Sequence, residues 1–435
     1  MRQTLQFYSR RLRTTKTMST AFTNRWAVFA LTSIFFLLSQ FYRASTAVIS
    51  SDLIRDLGLN ASDLSLLSAA FFYVFALVQI PLGLTLDRFG PRLTMSVLSL
   101  FGVAGALLFA WAETLGLAVL ARGMLGLGMA CNLMGPFKLL TLWFSPAQFA
   151  SLSTILFSIG AAGSIVASSP LVVLIQAMGW RWTFTVIAAV HALLTLAFFL
   201  LVRDRPPQSE HRGYSPGLPE LLRGLGVLFR TRDYWFISVG TFCRYGIFAA
   251  IQTLWAGPYL MQGIGLSPMT AGNIILALNV AFIAAGPLWG ALSDRIQHRK
   301  RVILIGLLGM GATLFGLSWQ SAHTSWPVFA LLFAAFGISG STGGIMYTHI
   351  KERMPGHLSA TAMTGINLFT MFGAASFVHG LGVLMQTTFA AQALSQEAFH
   401  FSFLLCAGCM AAVFVLYLFT REGQIADPSL QGTKD

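Results

Sequence analysis

Charged side chains are scarce in this sequence. Asp, Glu, Lys and Arg together make up 10% of the 435 residues, whereas a soluble globular domain carries about 25%. Hydrophobic residues make up 55%, and the mean hydropathy is +0.70. This composition excludes an ordinary soluble domain and predicts an integral, multi-pass membrane protein embedded in a lipid bilayer.

Acidic residues are scarcer than basic ones. The sequence has 15 Asp and Glu against 28 Lys and Arg, which gives a formal net charge of +13. In a soluble chain this excess would suggest nucleic acid, but here the basic residues lie mainly in tails and short connections. Residues 1–25 contain six of them and no acid. We expect a cytoplasmic tail near anionic lipid, starting at Met1 or Met18, and no nucleic-acid partner.

Motifs for cofactor chemistry are also missing. The four cysteines lie in apolar runs, and the C-x-x-C of Cys406 and Cys409 has no second ligand pair, so small packing residues are the expected role. A Walker-type phosphate loop is absent. The sequence therefore predicts a protein that is not an enzyme, uses no cofactor and has no ATP motor of its own.

Long apolar runs dominate what is present. Windows of about 20 residues predict about twelve spans, and basic residues concentrate in alternate connections, which places both termini in the cytoplasm. We expect a monomeric all-α protein of the bacterial inner membrane, with two six-helix bundles at 26–201 and 233–420, tails at 1–25 and 421–435, and a cytoplasmic linker at 202–232. The predicted spans are 26–50, 62–85, 93–112, 115–140, 150–175, 181–201, 233–260, 269–291, 301–319, 325–349, 358–386 and 397–420.

Two loops repeat between the halves. The run from Gly83 to Arg92 connects spans two and three, and a similar run from Gly290 to Arg295 connects spans eight and nine. Each places an Asp-Arg pair where two helices could approach closely and where a carboxylate could meet a helix end or a guanidinium group. We predict that these contacts help to control alternate opening of the protein. The residues expected in this role are Gly83, Asp87, Arg88, Gly90, Arg92, Asp294 and Arg295.

The first loop resembles the G-x-x-x-D-R-x-G-x-R signature of the major facilitator superfamily. The second loop keeps part of it and is interrupted by Gln297 and His298. The run from Arg122 to Gly128 is similar to the R-x-x-x-G-x-G motif of the same family. The resemblance implies a secondary transporter that works by alternating access. For Arg122, a structural role and a gating role both stay open.

Two arginines lie inside predicted spans. Arg43 is the one clear charge between Arg25 and Asp52, and such a charge costs about 3 kcal/mol or more at the bilayer centre. The helical rise places it roughly 26 Å from Trp26, so snorkelling from the outer third is an alternative to a buried site. Arg244 is expected near the midplane of span seven. Because a facilitator fold brings these spans to one cavity, we predict that the two arginines bind an organic anion.

The arginine pair resembles that of bacterial organophosphate:phosphate antiporters. Arg25-Trp26 precedes Arg43, Arg244 belongs to an Arg-Tyr-Gly, and Lys138 is similar in place to a further basic residue of that branch. A snorkelling role for Lys138 stays open, and span two lacks a lysine. In the related anion:cation symporters, acids occur where Tyr42 and Met129 stand here. Their absence favours anion exchange or facilitated diffusion.

Other polar residues could complete the site. Each is equally suited to hydrogen bonding between helices, and His379 is in addition a candidate for proton handling. The predicted substrate-binding set beyond the two arginines is Lys138, Tyr42, Tyr245, Gln252, Asn132, Tyr73, Asn279, Tyr347, Asn367 and His379.

The leading prediction is a secondary transporter of a small organic anion, either a phosphate ester, a sulfonate or a carboxylate. A membrane sensor that binds such an anion and signals to a partner protein is a second hypothesis. An exporter of amphipathic compounds is a third, because 37 phenylalanines and 16 methionines would suit a greasy pocket. The sequence leaves the substrate, the direction of transport and the coupling ion undecided.

Overall fold

The computed structural model describes residues 24–204, 228–354 and 359–422, and α-helices account for most of these ranges. The larger part of the predicted tail at 1–25 (residues 1–23), of the predicted linker at 202–232 (205–227) and of the predicted tail at 421–435 (423–435) lies outside the described residues. The bundle boundaries stay predictions. Below, "first half" means spans one to six and "second half" means spans seven to twelve.

The first half contains six spans, and two pairs of consecutive spans each form one long helix with a kink. Gly90 (φ 80°) separates spans two and three within one long helix, and Gly179 (φ 77°) separates spans five and six within another. Positive φ values of this size favour glycine because it lacks a Cβ atom. The helices are Arg25–Leu57, Ala61–Ala110, Leu115–Met129, Met134–Trp143, Pro146–Val166 and Ser169–Leu201.

The second half repeats this plan with a distorted span seven. After Arg232–Ala250, span seven continues through two π-helical turns, Ile251–Trp255 and Tyr259–Gly263, that flank the short helix Ala256–Pro258. Such π-helical turns often mark functional sites. The remaining helices are Pro268–Ile296, Arg299–Leu317, Trp326–Gly340, Gly343–Arg353, Ser359–Phe389 and Gln396–Leu418, with a 3₁₀ turn at Ala390–Gln392.

The predicted all-α membrane fold is confirmed. Among the described residues, eleven helices are long and apolar enough to cross a membrane, and Ser151–Val166 is a shorter apolar one. Span one is longer than predicted, because Arg55 pairs with Asp52 (2.8 Å) and Asp56 (2.9 Å) and lets the helix continue until Gly58. Arg43 consequently lies near the middle of this 33-residue helix rather than in its outer third.

Spans four and ten are both interrupted near their middle, a feature that the sequence reasoning missed. Span four stops at Met129 and resumes at Met134, and span ten stops at Gly340 and resumes at Gly343. Low helix propensity of glycine contributes to the second break. Helix ends inside a membrane protein are tolerated where they are buried in protein or line a cavity, so these breaks point to the centre of the molecule.

The two halves are joined toward one end of the molecule. Gln262 donates a hydrogen bond to Ser51 (2.8 Å), and Ser169 to Asn273 (2.6 Å), near the end where span one finishes and span two begins. The hydrogen bonds found between described residues of the two halves run from this end to the middle. The end that carries the repeated loops contributes none to this set.

Candidate functional site

Arg43 connects the two halves at the middle of the molecule. Its Nη1 donates a hydrogen bond to the hydroxyl of Tyr245 in span seven (3.1 Å). Its Nε is buried and has no hydrogen-bond partner among the described residues. The guanidinium group therefore keeps donor capacity for a ligand.

Aromatic rings surround Arg43 on the side of span two. The guanidinium carbon lies 5.9 Å, 5.7 Å and 5.1 Å from the ring centroids of Phe71, Phe72 and Phe75. Cation–π contacts of this kind contribute about 0.5 to 2 kcal/mol each and do not neutralise the charge. The rings cover one side of the guanidinium group and leave its net positive charge in place.

Arg244 lies on the other side of the site and is 4% exposed. Its guanidinium carbon is 5.8 Å from the ring centroid of Phe248, and the guanidinium group packs so closely on Gly343 that a Cβ atom there would overlap it. The buried Nε has no hydrogen-bond partner among the described residues. A buried charge without a counter-charge costs several kcal/mol, so this position is suited to an anionic ligand.

Two residues of the second half complete the constellation. The hydroxyl of Tyr347 donates to Asn367 Oδ1 (3.0 Å) and lies 3.1 Å from the hydroxyl of Thr370. Tyr347 is within electrostatic range of both guanidinium groups. The predicted residues Arg43, Arg244, Tyr245, Tyr347 and Asn367 are thus brought together.

Other predicted substrate residues lie elsewhere. Lys138 Nζ pairs with Asp87 and donates to the Leu86 carbonyl (2.9 Å), so it contacts the repeated loop. The Tyr42 side chain is fully buried, with its ring 5.8 Å from that of His191, inside the first half. Asn132 donates to the Phe35 carbonyl (3.3 Å). These side chains have structural partners that are distinct from the arginine pair.

The remaining predicted residues lie at the contact between the halves. Gln252 donates to Asn279 (2.7 Å), which donates to the Ser164 carbonyl across the interface (3.1 Å). Tyr73 meets the His379 ring edge-on at 6.2 Å between centroids. These contacts join the two halves between the middle of the molecule and the end that lies opposite the repeated loops.

The first repeated loop is fixed by two carboxylates. Asp87 pairs with Lys138, while Asp204, just after span six, accepts the backbone N–H of Arg92 (2.6 Å). Asp204 also fills the space where a Cβ atom of Gly90 would lie. A carboxylate at a helix start is favourable because the first N–H groups lack helical partners. The guanidinium carbon of Arg88 lies 5.4 Å from the ring centroid of Phe89.

The second repeated loop has an equivalent pair of contacts. Asp294 pairs with Arg299 (2.5 Å), which also contacts Glu352 of span ten (3.2 Å). Glu422, just after span twelve, accepts the backbone N–H of Lys300 (3.0 Å). Sequence reasoning missed Asp204 and Glu422, although each is an acid that directly follows the last span of its half. Arg295 is exposed.

Two motif glycines differ from expectation, whereas Arg122 fits one of its two predicted roles. A Cβ atom at Gly83 or Gly290 would meet nothing within 4 Å, so neither glycine serves a close helix contact in this conformation. Arg122 is fully buried and donates to the Tyr42 carbonyl (2.8 Å). Its guanidinium carbon lies 5.2 Å from the Phe71 ring. These contacts fit the structural role, and the gating role stays a prediction.

Comparison with known proteins places this architecture. The sequence profile of the Major Facilitator Superfamily matches residues 29–256 and 237–433. The chain belongs to the major facilitator superfamily.

Among facilitators, this chain is similar to several transporters of organic anions. It is 24% identical to a probable sulfoacetate transporter of Cupriavidus necator over 384 residues, covering 84% of this chain and 88% of that protein. It is 26% identical to a probable L-galactonate transporter of Escherichia coli over 415 residues, covering 89% and 87%. A bacterial homologue of the human lysosomal transporter Spinster has the same fold, with a TM-score of 0.78, 16% identity and coverage of 91% and 96%.

The site of this facilitator is suited to oxyanions. Arg43 and Arg244 contribute two positive charges from opposite halves, and no carboxylate hydrogen bond to either was found among the described residues. Guanidinium groups bind carboxylate, sulfonate or phosphate oxygens with paired hydrogen bonds. The hydroxyl groups of Tyr245 and Tyr347 add neutral polar contacts. The arrangement is suited to an anion, and the described residues place no carboxylate in hydrogen-bond contact with either arginine.

Proposed function

We propose that this protein is a secondary transporter in which Arg43 and Arg244 hold a small organic anion between the two halves. The observation that carries the proposal is the pair of guanidinium groups, one from each half, whose buried Nε atoms have no partner among the described residues. The names of the similar proteins, which include sulfoacetate and L-galactonate transporters, support an organic carboxylate or sulfonate as the substrate.

The same geometry supports a mechanism of alternating access. The hydrogen bonds and ring contacts found between described residues of the two halves lie at the arginine pair and on the side of Gln252 and Tyr73. A bound anion would neutralise the two positive charges and allow spans from both halves to approach on the side of the loops. Because Tyr42 and Met129 provide no carboxylate for proton coupling, anion exchange or facilitated diffusion is the proposed mode. The loops and both termini would face the cytoplasm of a bacterium.

The charge of the site favours a substrate with one or two negative charges. Lys138 is paired with Asp87, which leaves Arg43 and Arg244 as the cations of the site. A panel of sulfoacetate, L-galactonate, tartrate and glycerol phosphate in a thermal-unfolding assay tests the substrate class. A ligand at a hundred times its Kd stabilises the folded state by about 2.7 kcal/mol. We expect the carboxylates or the sulfonate to raise the unfolding temperature more than the phosphate ester.

Transport itself is tested in proteoliposomes loaded with the anion that stabilises the protein most. Arg43→Lys and Arg244→Lys should each lower exchange by about ten- to hundredfold, the loss expected when a hydrogen bond to a charged group is removed. Arg301→Lys is the matched control, because Arg301 is exposed at the start of span nine. Unchanged exchange in both site variants would refute the proposal. Binding by the wild type without any flux would instead favour a sensor.

A further inference from the structure

The second part of span ten starts in the middle of the molecule without a side-chain cap. Helix Gly343–Arg353 has Thr342 at its N-cap, and the Thr342 side chain makes no capping hydrogen bond. The Thr342 hydroxyl donates instead to the Ser339 carbonyl (2.8 Å). The first N–H groups of any helix lack partners within that helix, so this helix start has donor groups that a ligand could use.

Arg244 points at this helix start. Its guanidinium group packs directly on Gly343, and its buried Nε has no partner among the described residues. A helix N-terminus carries the equivalent of about half a positive charge. A guanidinium group at this end is therefore repelled unless an anion lies beside both. The buried arginine and the helix start together indicate a place for negative charge.

Gly344 leaves this place accessible. The residue is exposed, and a Cβ atom on it would meet nothing within 4 Å. Gly344 and Tyr347 are three residues apart and share one face of the helix, and the guanidinium group of Arg244 packs on the neighbouring Gly343. The first turn of the helix thus opens beside the arginine pair.

We propose that the backbone N–H groups of Gly343 and Gly344 form a third binding element for the anionic group of the substrate. One oxygen of a carboxylate or sulfonate accepts from the helix start, a second accepts from Arg244, and Arg43 contacts the substrate from the first half. Half-helix N-termini at the membrane midplane bind anionic groups in this way in transporters with interrupted helices. The inference rests on the proposed function and specifies which end of the site holds the oxyanion.

Comparison of Gly344→Pro with Gly344→Ala tests the N–H group of Gly344 separately from the effect of adding a side chain at this position. Proline removes the N–H yet is tolerated in the first turn of a helix, while alanine keeps the N–H and its Cβ atom fits. With sulfoacetate and L-galactonate as probes in equilibrium binding, the proline variant should lose about ten- to hundredfold in affinity. The alanine variant should stay within about twofold of the wild type.

Gly344→Asp and Gly344→Asn provide a second test if the proline variant fails to fold. Gly344 is exposed and has space for a Cβ atom, so both side chains fit, and only the carboxylate places a negative charge at the helix start. We expect loss of binding of both probes by Gly344→Asp and retained binding by Gly344→Asn. Equal affinity of Gly344→Pro and Gly344→Ala, or of Gly344→Asp and Gly344→Asn, would overturn the third element and leave the proposed role of the arginine pair unchanged. A wild type that binds neither these probes nor any other anion of the panel would overturn the proposed function as well.

Discussion

The loop between spans two and three keeps the complete facilitator signature, and the loop between spans eight and nine has lost part of it, yet both hold the same two contacts. In each loop an aspartate pairs with a cation, Asp87 with Lys138 and Asp294 with Arg299. In each half an acid after the last span accepts an N–H at the start of the third helix of that half, from Arg92 or from Lys300. The geometry is retained where the sequence pattern is not.

The difference between the loops lies in which element supplies each charge. In the first half span four supplies the cation, Lys138, to an acid of the loop. In the second half the loop supplies Arg299, and span ten supplies the acid Glu352 (3.2 Å). An ion pair can form whichever of the two elements carries the acid and whichever carries the base. The two halves can therefore contain the same kind of contact with different residues. Spans four and ten, the two interrupted spans, are linked to the loops in both cases.

The largest expected effect comes from an ion pair of the second half at the start of span seven. Arg353 donates from Nε (2.9 Å) and Nη2 (2.5 Å) to Asp233, and the two residues are 7% and 6% exposed. Breaking a buried pair by removing one partner costs about 3 to 5 kcal/mol. Asp233→Asn should therefore lower the unfolding temperature strongly in detergent solution. Asp294→Asn is the control, because its side chain is 71% exposed; equal shifts in the two variants would contradict the prediction.

Much of the fold and part of the site could be predicted from the sequence. Apolar windows of about 20 residues are a strong signal, so the all-α fold follows from them. The pairing of Arg43 with span seven follows from the repeat, because equivalent helices of two repeats meet at one cavity. The Arg43–Tyr245 hydrogen bond agrees with that expectation, although the role of these residues in binding stays a prediction.

The rest could not be predicted because the sequence signal is weak or depends on distant residues. The run from Gly340 to Gly344 has the same appearance as a glycine-rich packing surface, and only the backbone shows that span ten is interrupted there. Asp204 and Glu422 are single acids whose partners are N–H groups more than a hundred residues away. Lys138 was expected beside the substrate or at the interface, and its contact with Asp87 depends on how spans two and four pack.

An intermediate effect is expected at the acids that follow spans six and twelve. Replacing a side chain that caps a helix start costs about 1 kcal/mol. Asp204→Ala and Glu422→Ala should lower the free energy of unfolding by similar amounts if the two halves are equivalent in this respect. The measurement is thermal unfolding of both variants and of the double variant, in which distant sites should add. A loss confined to Asp204→Ala would show that only the first half depends on this contact.

The smallest expected effect sharpens the comparison of the loops themselves. The side chains of Asp87 and Lys138 are 34% and 26% exposed, and partly exposed pairs contribute about 1 kcal/mol or less. We therefore expect the double variant Asp87→Lys with Lys138→Asp to recover most of the transport rate that either single variant loses. It places the cation in the loop and the acid in span four, as Arg299 and Glu352 are placed in the second half. The rate is measured as anion exchange in proteoliposomes at low and at high salt, because salt screens exposed charges. A double variant that transports no faster than the single variants would contradict this prediction. The first loop would then depend on its own residues and not on the pairing of opposite charges, and the two loops would be similar in geometry but not in the role of their ion pairs.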